Sequence, residues 1–340
     1  MKNYSHLLIA VLALSALPAS RAHAQVITTF KGHQHTITCL AFAPDGKTLA
    51  SGSKDSTVIL WEVASGKARA TLTGHKEMAT AIAFSPDGKT LASASHDSAI
   101  NLWDAATGKQ IGTRRGHDKD VRGLAFAPDG KTLASAGVDK TVRLWSMADD
   151  KELHCLTGHT AEVNCVAFAP DGKWLASGGW DRTVRLWEPQ SGKLRTTFEG
   201  HTEFVRDLLF TPDGKTLVSC GKDGVIRLWD VAGGIPRKSL ESHRGLVRSL
   251  ALSEDGKLLA SAGRDGTLNL WNLSTGKIQA TMHEGVLGFQ VVAFAPGGKT
   301  LATGGIDRNV TIWDVSKVLE LYRAKPLSPA LLSGVPARRG

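Results

Sequence analysis

The sequence predicts an all-β chain assembled from seven copies of one unit, and three observations carry that prediction. Trp recurs every 42 residues, at Trp61, Trp103, Trp145, Trp187, Trp229, Trp271 and Trp313. An Asp stands six residues before each of them: Asp55, Asp97, Asp139, Asp181, Asp223, Asp265 and Asp307. A hydroxyl residue stands four before each Asp: Ser51, Ser93, Ser135, Ser177, Ser219, Ser261 and Thr303. A fixed period of this length marks a tandem repeat architecture. His lies 22 residues before the Asp in six copies, at His33, His75, His117, His159, His201 and His243, and Gly285 takes that place in the seventh.

The elements follow in chain order. Residues 1–24 read as a cleaved secretory leader: Lys2, then the mainly apolar run Leu7–Leu17, then Ala22-His23-Ala24 before Gln25. That run is too short to span a bilayer, which needs about 20 residues. Within the first unit, Ile37, Leu40 and Phe42 lie on one strand, and Pro44-Asp45-Gly46 turns the chain with Gly46 at positive φ. Leu49 to Gly52 is a second strand, and Lys54-Asp55-Ser56 turns again. Val58 to Trp61 is a third strand, Ser65-Gly66-Lys67 a turn, and Ala70 to Leu72 a fourth. Short apolar runs separated by such turns read as antiparallel strands. After the last Trp, the spacing of Val318, Leu319, Leu321 and Tyr322 predicts a short helix. Residues 324–340, with three Pro and a terminal Arg338-Arg339 pair, read as a mobile basic tail.

These residues resemble the WD40-repeat family. Gly32-His33, Pro44-Asp45-Gly46 and Trp61-Glu62 of the first copy recur as Gly74-His75, Pro86-Asp87-Gly88 and Trp103-Asp104 in the second. The resemblance covers about residues 26–315 and implies a seven-bladed β-propeller of four-stranded antiparallel blades. It also implies that Val26–Phe30 is an outer strand without a blade of its own, so that the N-terminal strand closes blade seven. It gives residues 25–315 as the propeller and 316–340 as helix and tail.

Ser51, His33 and Asp55 have the residue types of a hydrolase triad. The resemblance implies a structural role instead, in which the Trp indole bonds the Ser hydroxyl, Ser bonds His and His bonds Asp. A set repeated in six units is not one active site, and no catalytic residue is expected. Blade seven, without its His, is expected to hold the weakest network.

Composition excludes several classes. Hydrophobic residues make up 42% and charged residues 21% of the chain, which excludes a largely disordered polypeptide. Four cysteines cannot build a disulfide scaffold, and no CxxC, CxxCH or HExxH occurs, so neither metal nor cofactor is expected. Cys39, Cys155, Cys165 and Cys220 are expected to be buried free thiols. The net charge of +9 permits nucleic-acid binding in principle. No concentrated basic stripe supports it: Lys47, Lys89, Lys131, Lys173, Lys215, Lys257 and Lys299 repeat evenly, one per unit, after the turn between the first two strands, and Asp45 and its equivalents partly neutralise them.

Where a framework repeats, departures from the repeat are informative. The resemblance places partners on the face bearing the Gly-His loops, with three positions per blade pointing there. They are Thr36, Thr38, Lys54; Met78, Thr80, His96; Asp120, Arg122, Val138; Glu162, Asn164, Trp180; Phe204, Arg206, Lys222; Leu246, Arg248, Arg264; and Gly288, Gln290, Ile306. Trp180 and Phe204 fall in adjacent blades, beside a basic sector of Arg206, Lys222, Arg248 and Arg264. Aromatic anchors next to Arg compose a binding hot spot suited to an acidic segment. The expectation is an exported, periplasmic or secreted, monomeric scaffold that holds a protein or peptide. The alternative is an enzyme or small-ligand binder using the central channel, with Asp207 its nearest candidate residue.

Overall fold

A computed structural model describes residues 26–241, 243–283 and 288–321. The leader, Gly285, Tyr322 and residues 324–340 lie outside the described residues. Among those described, strands form seven four-stranded antiparallel sheets. In blade one these are β2 (Ile37–Phe42), β3 (Thr48–Ser53), β4 (Thr57–Glu62) and β5 (Ala68–Thr73). β2 spans the residues read from the sequence, whereas β3, β4 and β5 each extend one or two residues beyond their apolar runs at either end, because the backbone ladder continues into the flanking residues.

The closing sheet has a different origin. β1 (Val26–Lys31) pairs antiparallel with β28 (Asn309–Asp314), outside β27 (Thr300–Gly305) and β26 (Phe289–Phe294). The N-terminal strand therefore joins blade seven and shuts the ring. The blades remain separate sheets, and radial closure leaves only short edges at their outer strands. A helix, α1 (Val315–Leu321), follows β28 and buries Val315 and Val318 against the blade-six and blade-seven layer.

The core is not central. It lies as layers between neighbouring blades; the layer between blades seven and one holds Phe30, Ile37, Leu49, Ile59 and Trp61 with Val291, Val310 and Ile312. Every residue of β3 is buried, which explains its Thr-Leu-Ala-Ser-Gly-Ser composition. Both of its faces are covered by other blades, so only small side chains fit. A Cβ at Gly52 would stand 2.5 Å from the Cys39 sulfur and 3.1 Å from the Ala79 Cβ.

Two local features repeat in every blade. The residue after the turn Asp is left-handed in all seven: Ser56, Ser98, Lys140, Arg182, Gly224, Gly266 and Arg308 have φ between 64° and 80°. The turn Asp stabilises this bend; Asp55 Oδ1, for example, accepts the Thr57 amide at 3.0 Å. Second, the innermost strand of each blade carries a register shift around one residue: Thr38, Thr80, Arg122, Asn164, Arg206, Arg248 or Gln290. A bulge leaves that residue out of the ladder and re-aims its side chain. Here it turns the side chains toward the central channel.

Candidate functional site

The repeated quartet can be followed atom by atom. The Trp Nε1–H donates to the Ser or Thr hydroxyl oxygen at 2.7–2.9 Å in all seven blades. The hydroxyl lies 2.7–2.8 Å from His Nε2 in the six blades with His. The His Nδ1 faces the turn Asp at 2.8–3.2 Å. An ionised carboxylate only accepts, so Nδ1 carries the proton and Nε2 accepts from the hydroxyl. Burial pushes the Asp55 carboxyl up, but the Thr57 hydroxyl, the Gln34 amide and His33 outweigh it and hold it at about 2. Burial also pushes His75 and His243 below the usual histidine range, which keeps the rings neutral. The serines are completely buried. A hydroxyl with no open face, already engaged by an indole and an imidazole, has no route to attack a substrate.

The departures from the repeat gather elsewhere. The Gly-His face opens into a cavity of about 490 Å³ at the channel mouth, lined from all seven blades. Trp180 and Phe204 meet there face to face, ring centres 4.7 Å apart and 7° from parallel, with Trp180 44% exposed. The stack is propped at both ends. The Arg122 guanidinium lies 5.5 Å from the Trp180 ring, and the Lys222 ammonium 5.7 Å from the Phe204 ring. Arg122 is itself held by Glu162 at 2.8 Å and by the Asn164 side-chain oxygen at 3.1 Å. That oxygen also accepts the Trp180 indole N–H at 3.0 Å. Trp180 is thus pinned in one orientation, which reduces the entropy lost when something binds on it.

The basic sector divides in two. Lys222 pairs with Glu203 at 3.3 Å. Arg206, Arg248 and Arg264 have no carboxylate within ion-pair distance among the described residues, and the Arg248 Nε is buried without a hydrogen-bond partner. Burial, then the neighbouring charges of Arg206 and Arg264, pushes the Arg248 pKa down. Arg122, Glu162 and Asn164 occupied face positions in the sequence, but their mutual clamp on Trp180 was not anticipated there. The signal was an acid in blade four across from an arginine one repeat earlier.

Below the mouth the channel narrows to a cavity of about 190 Å³. Asp207 lines it, its two oxygens accepting the backbone amides of Leu208 at 2.9 Å and Leu250 at 2.8 Å. Burial raises its pKa to about 6 against these donors and Arg206. The carboxylate thereby ties blade five to blade six, with no second acid or His beside it to form a catalytic pair. Three cysteines, Cys39, Cys165 and Cys220, are buried and free; Cys155 is free but exposed, contrary to expectation, because it sits on the solvent side of an outer strand. The lysines of the repeated turns are only partly neutralised by the turn aspartates. Asp45 and its equivalents accept the Lys backbone amide rather than the ammonium; ion pairs form only at Lys173 and Lys257 among the described residues. No three His, Cys, Asp or Glu residues converge on a metal position among the described residues, and no helix there is long and apolar enough to cross a membrane.

Comparison with known proteins agrees with this geometry. The family model described as "WD domain, G-beta repeat" matches residues 24–62, 66–104, 108–146, 150–188, 192–230, 234–272 and 277–314. Each matched unit holds the outer strand of one blade and the three inner strands of the next, the offset that lets β1 close the ring. Among curated proteins, the chain is 45% identical over 51 residues to WD repeat-containing protein AAC3 of Dictyostelium discoideum, covering 15% of this chain and 11% of that protein. It is 56% identical over 36 residues to human WD repeat-containing protein 18, covering 11% of this chain and 8% of that protein. It is 54% identical over 35 residues to the Notchless protein homolog of Arabidopsis thaliana, covering 10% and 7%. These matches span about a tenth of each relative's length, roughly one repeat unit. With seven matched units in register and seven blades in the fold, the chain belongs to the WD40-repeat family.

Proposed function

We propose that this propeller is a non-enzymatic interaction scaffold that holds a protein or peptide at the channel mouth, on the sector formed by blades four to six. WD40 propellers generally serve as protein-binding platforms, and the observation that carries the reading here is the Trp180–Phe204 stack. Its rings are large, rigid and, at Trp180, 44% exposed, and none of the six quartets uses them. Such anchors supply apolar contact at little entropic cost. The six Ser-His-Asp sets are framework, and the Asp207 oxygens are both occupied by backbone amides, so the reading needs no catalytic residue. Export is part of the same proposal: the Leu7–Leu17 run and the Ala22-His23-Ala24 site support a native protein that begins at Gln25 and acts outside the cytoplasm, and the scaffold is proposed to work as a monomer.

The test is a titration of the native protein and Trp180→Ala against the partner that co-purifies from the cell envelope. The reading expects a loss of more than about 2 kcal/mol of affinity, the magnitude of a hot spot. Unchanged affinity in a folded Trp180→Ala protein would place the site elsewhere on the ring.

A further inference from the structure

The bulge residues at the channel neck show why the arginines of blades five and six stand apart. In blades one, two and four that residue latches the ring: Thr38 donates to the Ala79 carbonyl, Thr80 to the Val121 carbonyl and Asn164 to the Val205 carbonyl. Each acceptor lies on the first strand of the next blade, just before its own bulge. Blade five has Arg206 in this position, and the matching Val247 carbonyl is met instead by the Cys220 thiol at 3.5 Å. Blade six has Arg248, which makes no such bond. In blade three, Arg122 is consumed by Glu162 and Asn164. Arg206 and Arg248 have therefore given up the structural task of the position without taking another inside the chain.

Charge at the mouth is segregated accordingly. The acids of blades three and four are matched, Asp120 with His96 at 3.4 Å and Glu162 with Arg122 at 2.8 Å. Across the mouth, Arg206 and Arg248 at the neck and Arg264 at the rim are three like charges with no ion-paired carboxylate among the described residues; the buried Asp207 below feels the charge of Arg206 but gives its oxygens to backbone amides. Guanidiniums gathered this way repel one another, and an acceptor-rich group between them relieves the repulsion through charge-assisted, often bidentate hydrogen bonds. Arg206 and Arg248 line the cavity of about 490 Å³ together with the Trp180–Phe204 stack, and Arg264 lies outside that lining, close enough to Arg248 for their charges to interact. A single compact anion would leave the rim charge and the aromatic faces uncovered. A short stretch of chain with more than one carboxylate and a flat or apolar side chain covers both.

We infer that Arg206, Arg248 and Arg264 receive the carboxylates of an acidic peptide segment whose neighbouring aromatic or apolar side chain packs on Trp180 and Phe204. This rests on the proposed binding face and names what that face selects. The experiment is selection from a displayed random dodecapeptide library on the wild-type protein, on Trp180→Ala and on the Arg206→Gln/Arg248→Gln double variant. Wild type should enrich peptides with two or more Asp or Glu near an aromatic residue. The double variant should lose the acidic enrichment and keep the aromatic one, and Trp180→Ala should do the reverse. The best wild-type peptide should bind at least tenfold more tightly than its copy with Gln and Asn for Glu and Asp, and the double variant should abolish that ratio. The arginines make no internal hydrogen bond or ion pair, and Arg206 acts on Asp207 only through its charge, so at about pH 5, where Asp207 is largely protonated, the double variant should melt no lower than wild type, which separates lost recognition from lost folding. Enrichment of neutral peptides that still depend on Trp180 would overturn the charge assignment and leave the face standing. Peptides indifferent to Trp180 and both arginines would overturn the face as well. Equal displacement of the peptide by millimolar inorganic phosphate, with the same arginine dependence, would make the site one for a small anion and also overturn the inference.

Discussion

In blade four, Trp187 donates to Ser177, Ser177 meets His159, and His159 meets Asp181 at 2.8 Å. In blade seven, Trp313 makes the same bond to Thr303 at 2.8 Å, but Asp307 turns to Asn309 and accepts its side-chain amide at 2.9 Å. Trp187 is 2% exposed and Trp313 8%, so the indole is sealed less completely where the His–Asp extension is missing. The Trp–hydroxyl bond alone is thus enough to place the third strand against the second. The His–Asp link adds a brace between the loop that enters a blade and the turn that follows its second strand. Blade seven keeps all four of its strands paired without it. The quartet is graded stabilisation, and a blade that loses part of it keeps its fold.

That comparison is broken most forcefully at the aspartates. Asp181 accepts from His159, from the Thr160 and Thr183 amides and from the Thr183 hydroxyl. Asp181→Ala should cost about 3 kcal/mol, since hydrogen bonds to a charged group contribute about 1.5–3 kcal/mol and several donors are orphaned together. Asp307→Ala, which releases only Asn309, should cost about 1 kcal/mol. Denaturant midpoints of the two variants would check the ratio, and equal losses would mean that the His adds nothing.

A pH series sharpens the contrast from another side. The Asp55 carboxylate, held at about 2, gives stability that is present above its unfolded value near 4 and is lost as pH falls toward 2. Asp207, raised to about 6, has the opposite sign: the folded state holds its proton longer than the unfolded state, so stability falls as pH climbs from about 4 to 6. Two pKa units correspond to roughly 3 kcal/mol. The stability difference between Asp207→Asn and wild type should therefore move in favour of Asn by roughly 2–3 kcal/mol between pH 4 and pH 7. A flat difference would show that the channel carboxylate ionises as freely as an exposed one.

The smallest effect concerns the left-handed turn residue. Arg182 holds φ at 68° where blades five and six use Gly224 and Gly266. Arg182→Gly should relieve strain of about 1 kcal/mol, partly offset by the greater freedom of Gly in the unfolded chain. A gain of about 0.5 kcal/mol in the melting free energy is expected, and a loss would show that the Asx bend already removes the strain.

These regions also differ in how far they could be read from residues alone. The 42-residue register of Trp, Asp and Ser exposed the repeat and its strands, because these depend on spacing within one unit, whereas the bonding of the quartets and the closure by β1 came only from the family resemblance. The seven-fold left-handed position was visible in Gly224 and Gly266 but hidden behind Ser56 and Arg182. The latches from Thr38, Thr80 and Asn164 escaped entirely, since their acceptors are main-chain carbonyls one blade on, and a carbonyl leaves no mark in a sequence. The clamp of Arg122 on Trp180 was half legible: the residues stood at face positions, but their pairing depends on the angle between blades three and four. Trp180 and Phe204 were legible as neighbours because blade order follows chain order, whereas their parallel stacking required the side-chain directions.

The division between framework and recognition is tested most directly inside blade four, where both kinds of residue stand three positions apart. Ser177→Ala and Trp180→Ala would each be measured for denaturant midpoint and for affinity toward the acid-bearing peptide selected on the wild-type protein. Ser177→Ala removes the acceptor of the Trp187 indole and should lose about 2 kcal/mol of stability with unchanged affinity in the folded protein. Trp180→Ala gives up the stack on Phe204 and the bond to Asn164, and should lose about 1 kcal/mol of stability and at least about 2 kcal/mol of affinity. If both variants lost stability and affinity in parallel, the quartet and the mouth would be one unit, and the separation drawn between them would be wrong.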